Sequence, residues 1–283
     1  MAIIAISGKI RSGKDTVGKI IQYLTFVKNE EKQISFEEFI NSDIEDKNQY
    51  GFNKGLFEDL SGWEIKKFAG KLKEIVALLT GCTVEDLESQ DFKNKQLSSD
   101  WDYVFKYLNG VGNISGNYPL NVDTYKDDKI FKNNPERFIK HYTYRDLLQK
   151  IGTEATRDNI HENIWVNALF ADYKPTHSIQ MHMMDLGKKT SEPVGKSVSG
   201  GYPNWICTDM RFPNEMKAVQ DRGGITIRIK RTQFHTIDSL KTSEHPSETA
   251  LDNAEFDYVI DNDNTIKELV EKVKEILIKE KII

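Results

Sequence analysis

A chain of 283 residues is long enough for one large domain or two small ones, and its formal charge of −5 supplies no overall basic field for nucleic acid. Its two cysteines, Cys82 and Cys207, rule out a disulfide framework, lack metal-ligand spacing and suit a reducing cytoplasm. No apolar run approaches the ~20 residues of a membrane span, and the opening MAIIAIS is too short for a signal peptide, so the expectation is a soluble protein without nucleic-acid or membrane partners.

The first apolar run, Ile3 to Ile6, reads as a buried strand, and Val17, Ile20, Ile21 and Leu24 line one face of a helix after it. Between them lies SGKIRSGKDT, Ser7 to Thr16. Gly8 and Gly13 allow backbone conformations closed to other residues. A loop between them can turn its N–H groups around a phosphate, and the helix starting near Gly13 adds its positive end. Lys14 can reach the outer phosphates, with Arg11 and Ser12 in the loop itself. The pattern departs from G-x-x-x-x-G-K-S/T: Asp15 stands where the hydroxyl belongs, and Thr16 follows one place later. Thr16 is therefore assigned the phosphate and magnesium contact. Asp15 either holds a magnesium-bound water or caps the helix. Gly8, Arg11, Ser12, Gly13, Lys14, Asp15 and Thr16 are together expected to hold ATP with Mg2+.

Residues 26–62 are charged and read as an insertion, with one amphipathic helix around Phe36 to Ile40. A second strand is expected near Ile65 to Ala69. Leu72, Ile75, Val76 and Leu79 line the helix after it, and Gly81 is its stop. Residues 91–140, rich in Asn, Asp and Lys, form a second insertion. Thr143 to Ile151 reads as a helix capped by Thr143 and stopped by Gly152. His161 to Tyr173 reads as another, with Ile164, Trp165, Ala168 and Leu169 on one face. Arg145 and Arg157 flank the Gly152-Thr153 break. Two readings stay open there: a nucleotide pocket in which arginine grips phosphate and Trp165 walls the base, or solvated charges around a core tryptophan. Residues 175–203 read as a third insertion. Its His177 and His182, near three methionines, are taken as incidental because no second-shell carboxylate pattern accompanies them.

The third strand, Trp205 to Thr208, runs into TDMRFPNE. Cys207 there reads as a small core residue. Strand ends are where ligands sit in open parallel sheets. Asp209 can hold magnesium or its water, and Arg211 can make a bidentate phosphate contact. The alternative is an ion pair with Glu215. Pro213 suits a first helical turn, and Gly223-Gly224 ends that helix. Ile225 to Ile229 reads as the fourth strand, followed by Arg231, which is either a lid arginine or a solvated strand end. Phe256 to Ile260 is the fifth strand, and Thr265 with Glu268 forms a capping box for the last helix. Strands alternating with helices imply an α/β fold: a five-stranded, mostly parallel sheet covered on both faces.

The segments GKIRSGKDT, FAGKLKEIVALLTG, LLQKIGTEATRDNIHENIWV, TDMRFPNE and FDYVIDNDNTIKEL occur in the order seen in phage deoxynucleoside monophosphate kinases, and the chain resembles that family outside the three insertions. GKDT looks like the Gly-Lys-Gly-Thr variant of adenylate-type kinases. The resemblance implies one P-loop kinase domain over 1–283, a lid over about 231–255, frequent dimers, a (host) cytoplasmic setting, and ATP-dependent phosphorylation of a deoxynucleoside 5'-monophosphate. On that footing Lys14, Arg11, Arg211 and Asp209 act on the transferring phosphoryl group, and Thr16 and Asp209 hold Mg2+. Lys71, Arg145, Gly152, Thr153, Arg157, Trp165, Arg211 and Glu215 receive the acceptor, with the ATP base near Asn262 to Thr265. Dephospho-coenzyme A kinases share parts of FAGKLKE and DNDNTIKEL. The alternatives are thus a coenzyme-precursor kinase or a non-catalytic nucleotide-binding protein.

Overall fold

A computed structural model describes residues 2–29, 34–41, 61–104, 139–175, 177–180, 196–232 and 246–283. In chain order the elements are β1 (Ile3–Gly8), α1 (Lys14–Asn29), β2 (Trp63–Lys66), α2 (Gly70–Thr80), α3 (Gln90–Lys93), β3 (Tyr103–Val104), β4 (Ile139–Lys140) and α4 (Tyr144–Gln149). A π-helical segment over Lys150–Ala155 follows, then α5 (Ile164–Phe170), β5 (His177–Gln180), β6 (Lys196–Ser199) and β7 (Asn204–Cys207). The chain closes with α6 (Pro213–Gln220), β8 (Ile225–Lys230), α7 (Pro246–Thr249), β9 (Tyr258–Asp261) and α8 (Ile266–Lys279). The chain divides into two compact units. One combines Met1–Phe68 with Val166–Ile283; the other is Ala69–Trp165.

The first unit is built on the expected sheet, ordered β2-β7-β1-β8-β9 with every pairing parallel. The composition of β1, IIAISG, explains its central place: it is apolar on both sides, as a strand covered on both faces must be. Ile4 and Ile6 face one way, into a cluster with Val17, Ile20, Ile21 and Leu24 of α1 and Leu269, Val273, Ile276 and Leu277 of α8. Ile3 and Ala5 face the other way, against Val166, Leu169 and Phe170 of α5 and Met216, Ala218 and Val219 of α6. The helical residues recur every three or four positions, so each helix buries one stripe. Cys207 is fully buried in the second cluster, and that burial pushes its thiol far up, as the core reading requires.

Boundaries shifted by a few residues. The second strand is Trp63–Lys66 and starts earlier than expected, because its register against β7 pairs Trp63 with Asn204 and Lys66 with Cys207. Phe68, beyond its end, is buried in the cluster of Ile3 and Ala5. β9 likewise starts at Tyr258, and Phe256 packs against that same cluster. Residues 36–41 are helical, as read. The third insertion forms a hairpin, with His177 opposite Ser199; His182 and the three methionines lie outside the described residues, as do 233–245 of the expected lid.

In the second unit α2 ends as read, with Gly81 left-handed at φ 75° and its N–H donated to Ala77 O. Thr143 caps α4 reciprocally with Asp146: the Thr143 hydroxyl accepts from Asp146 N, and the Asp146 carboxylate accepts from Thr143 N. Gly152, expected as the stop, does not end the helix. The backbone instead continues through it in π geometry to Ala155. Such segments are rare and frequent at functional sites.

Candidate active site

The site of the first unit lies at the carboxyl ends of the strands, beside β1. The sheet order reverses at this strand, with β7 on one side and β8 on the other, and ligands of open α/β sheets bind at such a switch point. Between Gly8 and Lys14 the chain must turn sharply from strand into helix. Two residues take left-handed backbone to do so, Arg11 at φ 61° and Gly13 at φ 98°. For arginine that conformation costs about 1 kcal/mol. At Gly13 a side chain is excluded twice, by φ and by Asn262, whose Nδ2 would stand 2.5 Å from an added Cβ. That Nδ2 donates to Ser12 O at 2.8 Å, so the turn after β9 braces the phosphate loop from 250 residues away.

Lys14 Nζ donates to Gly8 O and Lys9 O, both at 2.8 Å, which seats the ammonium over its own loop. Burial, and then the charge of Arg211, lower its pKa to about 8; Glu248, Asp15 and Asp209 pull it the other way. The Ser12 hydroxyl is buried and has no hydrogen-bond partner among the described residues. An orphaned hydroxyl and a lysine resting on carbonyls within one strained turn suit a group rich in acceptor oxygens, such as a polyphosphate. Arg11 is exposed on the same loop.

TDMRFPNE supplies the opposite wall. Met210 N donates to Ile6 O at 3.2 Å, tying this segment to β1. Buried Thr208 donates its hydroxyl to Asp15 Oδ1 at 2.7 Å, and Lys67 Nζ lies 3.6 Å from the same oxygen. Asp15 is thus held by two neighbours rather than capping α1. Asp209 Oδ1 accepts from Phe68 N at 2.7 Å. Arg211 Nη1 meets Glu248 Oε1 at 2.6 Å. Arg211 thus forms an ion pair with Glu248. The Glu215 carboxylate is buried and accepts from the backbone N–H groups of Arg211 and Phe212 at 2.7 and 3.1 Å. Through its Oε2 the Glu215 side chain thus holds the start of α6. Among the described residues no three of His, Cys, Asp and Glu converge on a metal site. Magnesium characteristically uses one or two carboxylates plus water and substrate phosphates, and Asp209 is one carboxylate at the ends of these strands.

Beyond the strands, Lys9 Nζ donates to Glu248 O at 2.5 Å and to Asp252 Oδ2 at 2.6 Å. Asp252 also takes Arg228 Nη2 at 2.8 Å, while Arg228 Nη1 donates to Ser7 Oγ at 2.9 Å. A cleft of about 650 Å³ opens there, lined among others by Lys9, Arg228, Arg231, Leu251 and Phe256. Thr265 caps α8 by accepting from Glu268 N at 3.3 Å.

The acceptor candidates Lys71, Arg145, Gly152, Thr153, Arg157 and Trp165 all belong to the second unit. Arg145 donates from Nε to Asn94 Oδ1 at 2.9 Å and from Nη2 to Gln90 Oε1 at 2.8 Å. Lys71 pairs with Glu74 at 3.3 Å one turn on. Gly152 is buried, and a Cβ there would press on Leu72 Cδ2 at 2.7 Å. Trp165 is only 5% exposed, and its Nε1 donates to Gly152 O at 2.8 Å. Of the two readings of Trp165, this geometry is that of a core residue holding the π turn. Sequence reasoning gave no role to Glu248 or Lys67, treated Thr208 only as a strand end and placed Asn262 only beside the ATP base. Glu248 sits inside a polar stretch where no pattern distinguishes it, and only Lys67, just past a strand end, carried a usable signal.

A sequence profile described as Deoxynucleotide monophosphate kinase matches residues 2–273. The Deoxynucleotide monophosphate kinase of Enterobacteria phage T4 is 28% identical over 184 residues, covering 62% of this chain and 64% of that protein. This chain therefore spans just under two thirds of the T4 protein in that alignment. The protein of the same name from Escherichia phage RB69 is 25% identical over 281 residues, 98% of this chain and 100% of its own.

Proposed function

Because the chain belongs to the deoxynucleotide monophosphate kinase family, we propose that it transfers the terminal phosphoryl group of ATP to a deoxynucleoside 5'-monophosphate, in DNA-precursor synthesis in the host cytoplasm. The observation that carries this reading is that Lys14, seated on carbonyls of its own loop, and Arg211, joined through Glu248 to Ile10 N of the same loop, meet at the end of β1. Two cations kept together in a partly buried corner favour a strongly anionic ligand.

In this reading the Gly8-to-Thr16 loop receives the triphosphate on its N–H groups and the Ser12 hydroxyl. Lys14, Arg11 and Arg211 neutralise charge on the transferring group. Thr16 and Asp209 would hold Mg2+, which would supply positive charge to neutralise the phosphate oxygens. Asp15, fixed by Thr208 and Lys67, is available to a magnesium-bound water. Lys71, Arg145, Thr153 and Arg157 receive the monophosphate, with Gly152 and Trp165 shaping the turn that carries them. Phosphoryl transfer depends on positioning and electrostatics, so no strong general base is needed.

A coupled ADP-release assay tests this, with dGMP, dTMP, dCMP, dAMP and dephospho-coenzyme A offered in turn. Turnover with one or more deoxynucleotides is expected. Turnover with dephospho-coenzyme A alone assigns a coenzyme-precursor kinase, and no ADP with any acceptor assigns a binding protein.

A further inference from the structure

Glu248 lies in the short helix α7, outside every motif discussed above, yet it contacts Lys9, Ile10 and Arg211 of the phosphate corner. Its side chain is 6% exposed. A carboxylate that far out of water needs charge and hydrogen-bond compensation, and it draws both from the phosphate site. Oε1 takes Arg211 Nη1 at 2.6 Å, and Oε2 takes Ile10 N, an amide of the phosphate loop, at 3.0 Å. Its backbone carbonyl accepts Lys9 Nζ at 2.5 Å from the same loop.

One carboxylate thus joins the loop after β1 to the arginine after β7. Arg211 and Lys14 repel each other, as the depressed pKa of Lys14 registers, and Glu248 offsets that repulsion. The flexible guanidinium is held in a single place, aligned with the loop amides, before any nucleotide arrives. Pre-alignment of this kind is what makes electrostatic catalysis efficient, because nothing has to reorganise as charge develops.

We propose that Glu248 is a positioning residue for phosphoryl transfer, acting through Arg211 by locking its guanidinium in register with the phosphate loop. The inference rests on the kinase reading and on the role that reading gives Arg211. The test is a double-mutant cycle: Glu248→Gln and Arg211→Ala, singly and together, in the full chain. Glu248→Gln is expected to lower kcat by about 10- to 100-fold, with the KM for the monophosphate within about threefold, because its role lies with the transferring group. In the Arg211→Ala background the same change should lower kcat by less than about threefold, since the residue it positions is gone. Glu248→Asp keeps the charge but shortens the reach, and should fall between wild type and Gln. It also keeps the cycle usable if the Gln variant melts early.

A merely structural Glu248 would give equal losses in both backgrounds, which overturns the proposal. So does an unchanged kcat in Glu248→Gln, or in Arg211→Ala. If the wild-type chain turns over no acceptor, it is the kinase reading that fails. The cycle is then read as ATP affinity by calorimetry, where non-additive losses uphold the link between Glu248 and Arg211 and additive losses overturn it.

Discussion

The turn after β1 and the turn after α4 use similar residues, glycine, threonine and arginine, to opposite effect. Around Lys14 the backbone is strained at Arg11, the buried Ser12 hydroxyl has no described partner, and the lysine sits on carbonyls of its own loop. Around Gly152 several polar groups are consumed internally. Gly152 O takes the Trp165 indole, Thr156 Oγ1 donates to Ile151 O at 2.6 Å, and Asp158 N donates to Thr153 O at 3.0 Å. Arg145 meanwhile rests on two neutral amides. The contrast separates a corner that concentrates charge from one whose polar groups are largely paired with one another. Charge-assisted bonds to phosphate are about twice as strong as neutral ones, so on the proposed reading a monophosphate takes Arg145 from Asn94 and Gln90.

The comparison breaks most decisively at Arg211. Arg211→Ala should cut turnover by on the order of 10³ while the melting curve keeps its cooperative shape; an unchanged rate removes the arginine from the transfer step. Lys14→Met should follow with a loss of about 10²- to 10³-fold in the same assay. On the other side, Arg145→Ala should raise the KM for the monophosphate by roughly tenfold, about the 1.4 kcal/mol of one charge-assisted contact, with a much smaller change in kcat. A shift in melting temperature alone would assign Arg145 to structure.

Protonation sharpens the contrast further. Lys14 titrates near 8 in the folded chain against its ordinary 10.5. The unfolded chain therefore binds more protons between those values, and the stability of the nucleotide-free protein should rise with pH across that window. Lys14→Met should flatten the rise, as followed by denaturant melts from pH 7 to 10.5. Phosphate bound beside Lys14 restores its basicity, so ATP binding near pH 8 should take up a fraction of a proton, measurable by calorimetry in buffers of different ionisation enthalpy. The smallest effect is expected at Trp165→Phe, which loses one buried hydrogen bond. It should cost about 1–2 kcal/mol of stability and leave turnover nearly intact.

Much of this was legible in the residues alone. The unbroken apolar run of IIAI, the Gly8-to-Thr16 turn, the Thr143 cap and the Gly81 stop each depend on dihedral preferences and side-chain spacing within a few neighbours. The π segment was not legible, because the tryptophan that donates its indole N–H to Gly152 O lies 13 residues on. Nor was the commitment of Glu215 to two amides, which looks like any acidic residue in a helical first turn until the backbone is traced.

The amino-acid order on its own determined the parallel α/β sheet and the phosphate-loop turn, since both follow from local periodicity and from which residues tolerate positive φ. The company that turn keeps was decided by the tertiary structure. Thr208 reaches Asp15 across 193 positions, Glu248 reaches Ile10 across 238 and Asn262 reaches Ser12 across 250. Such contacts exist only once β7, β1, β8 and β9 lie side by side in register, because strand register, which no local pattern encodes, sets which loop ends meet.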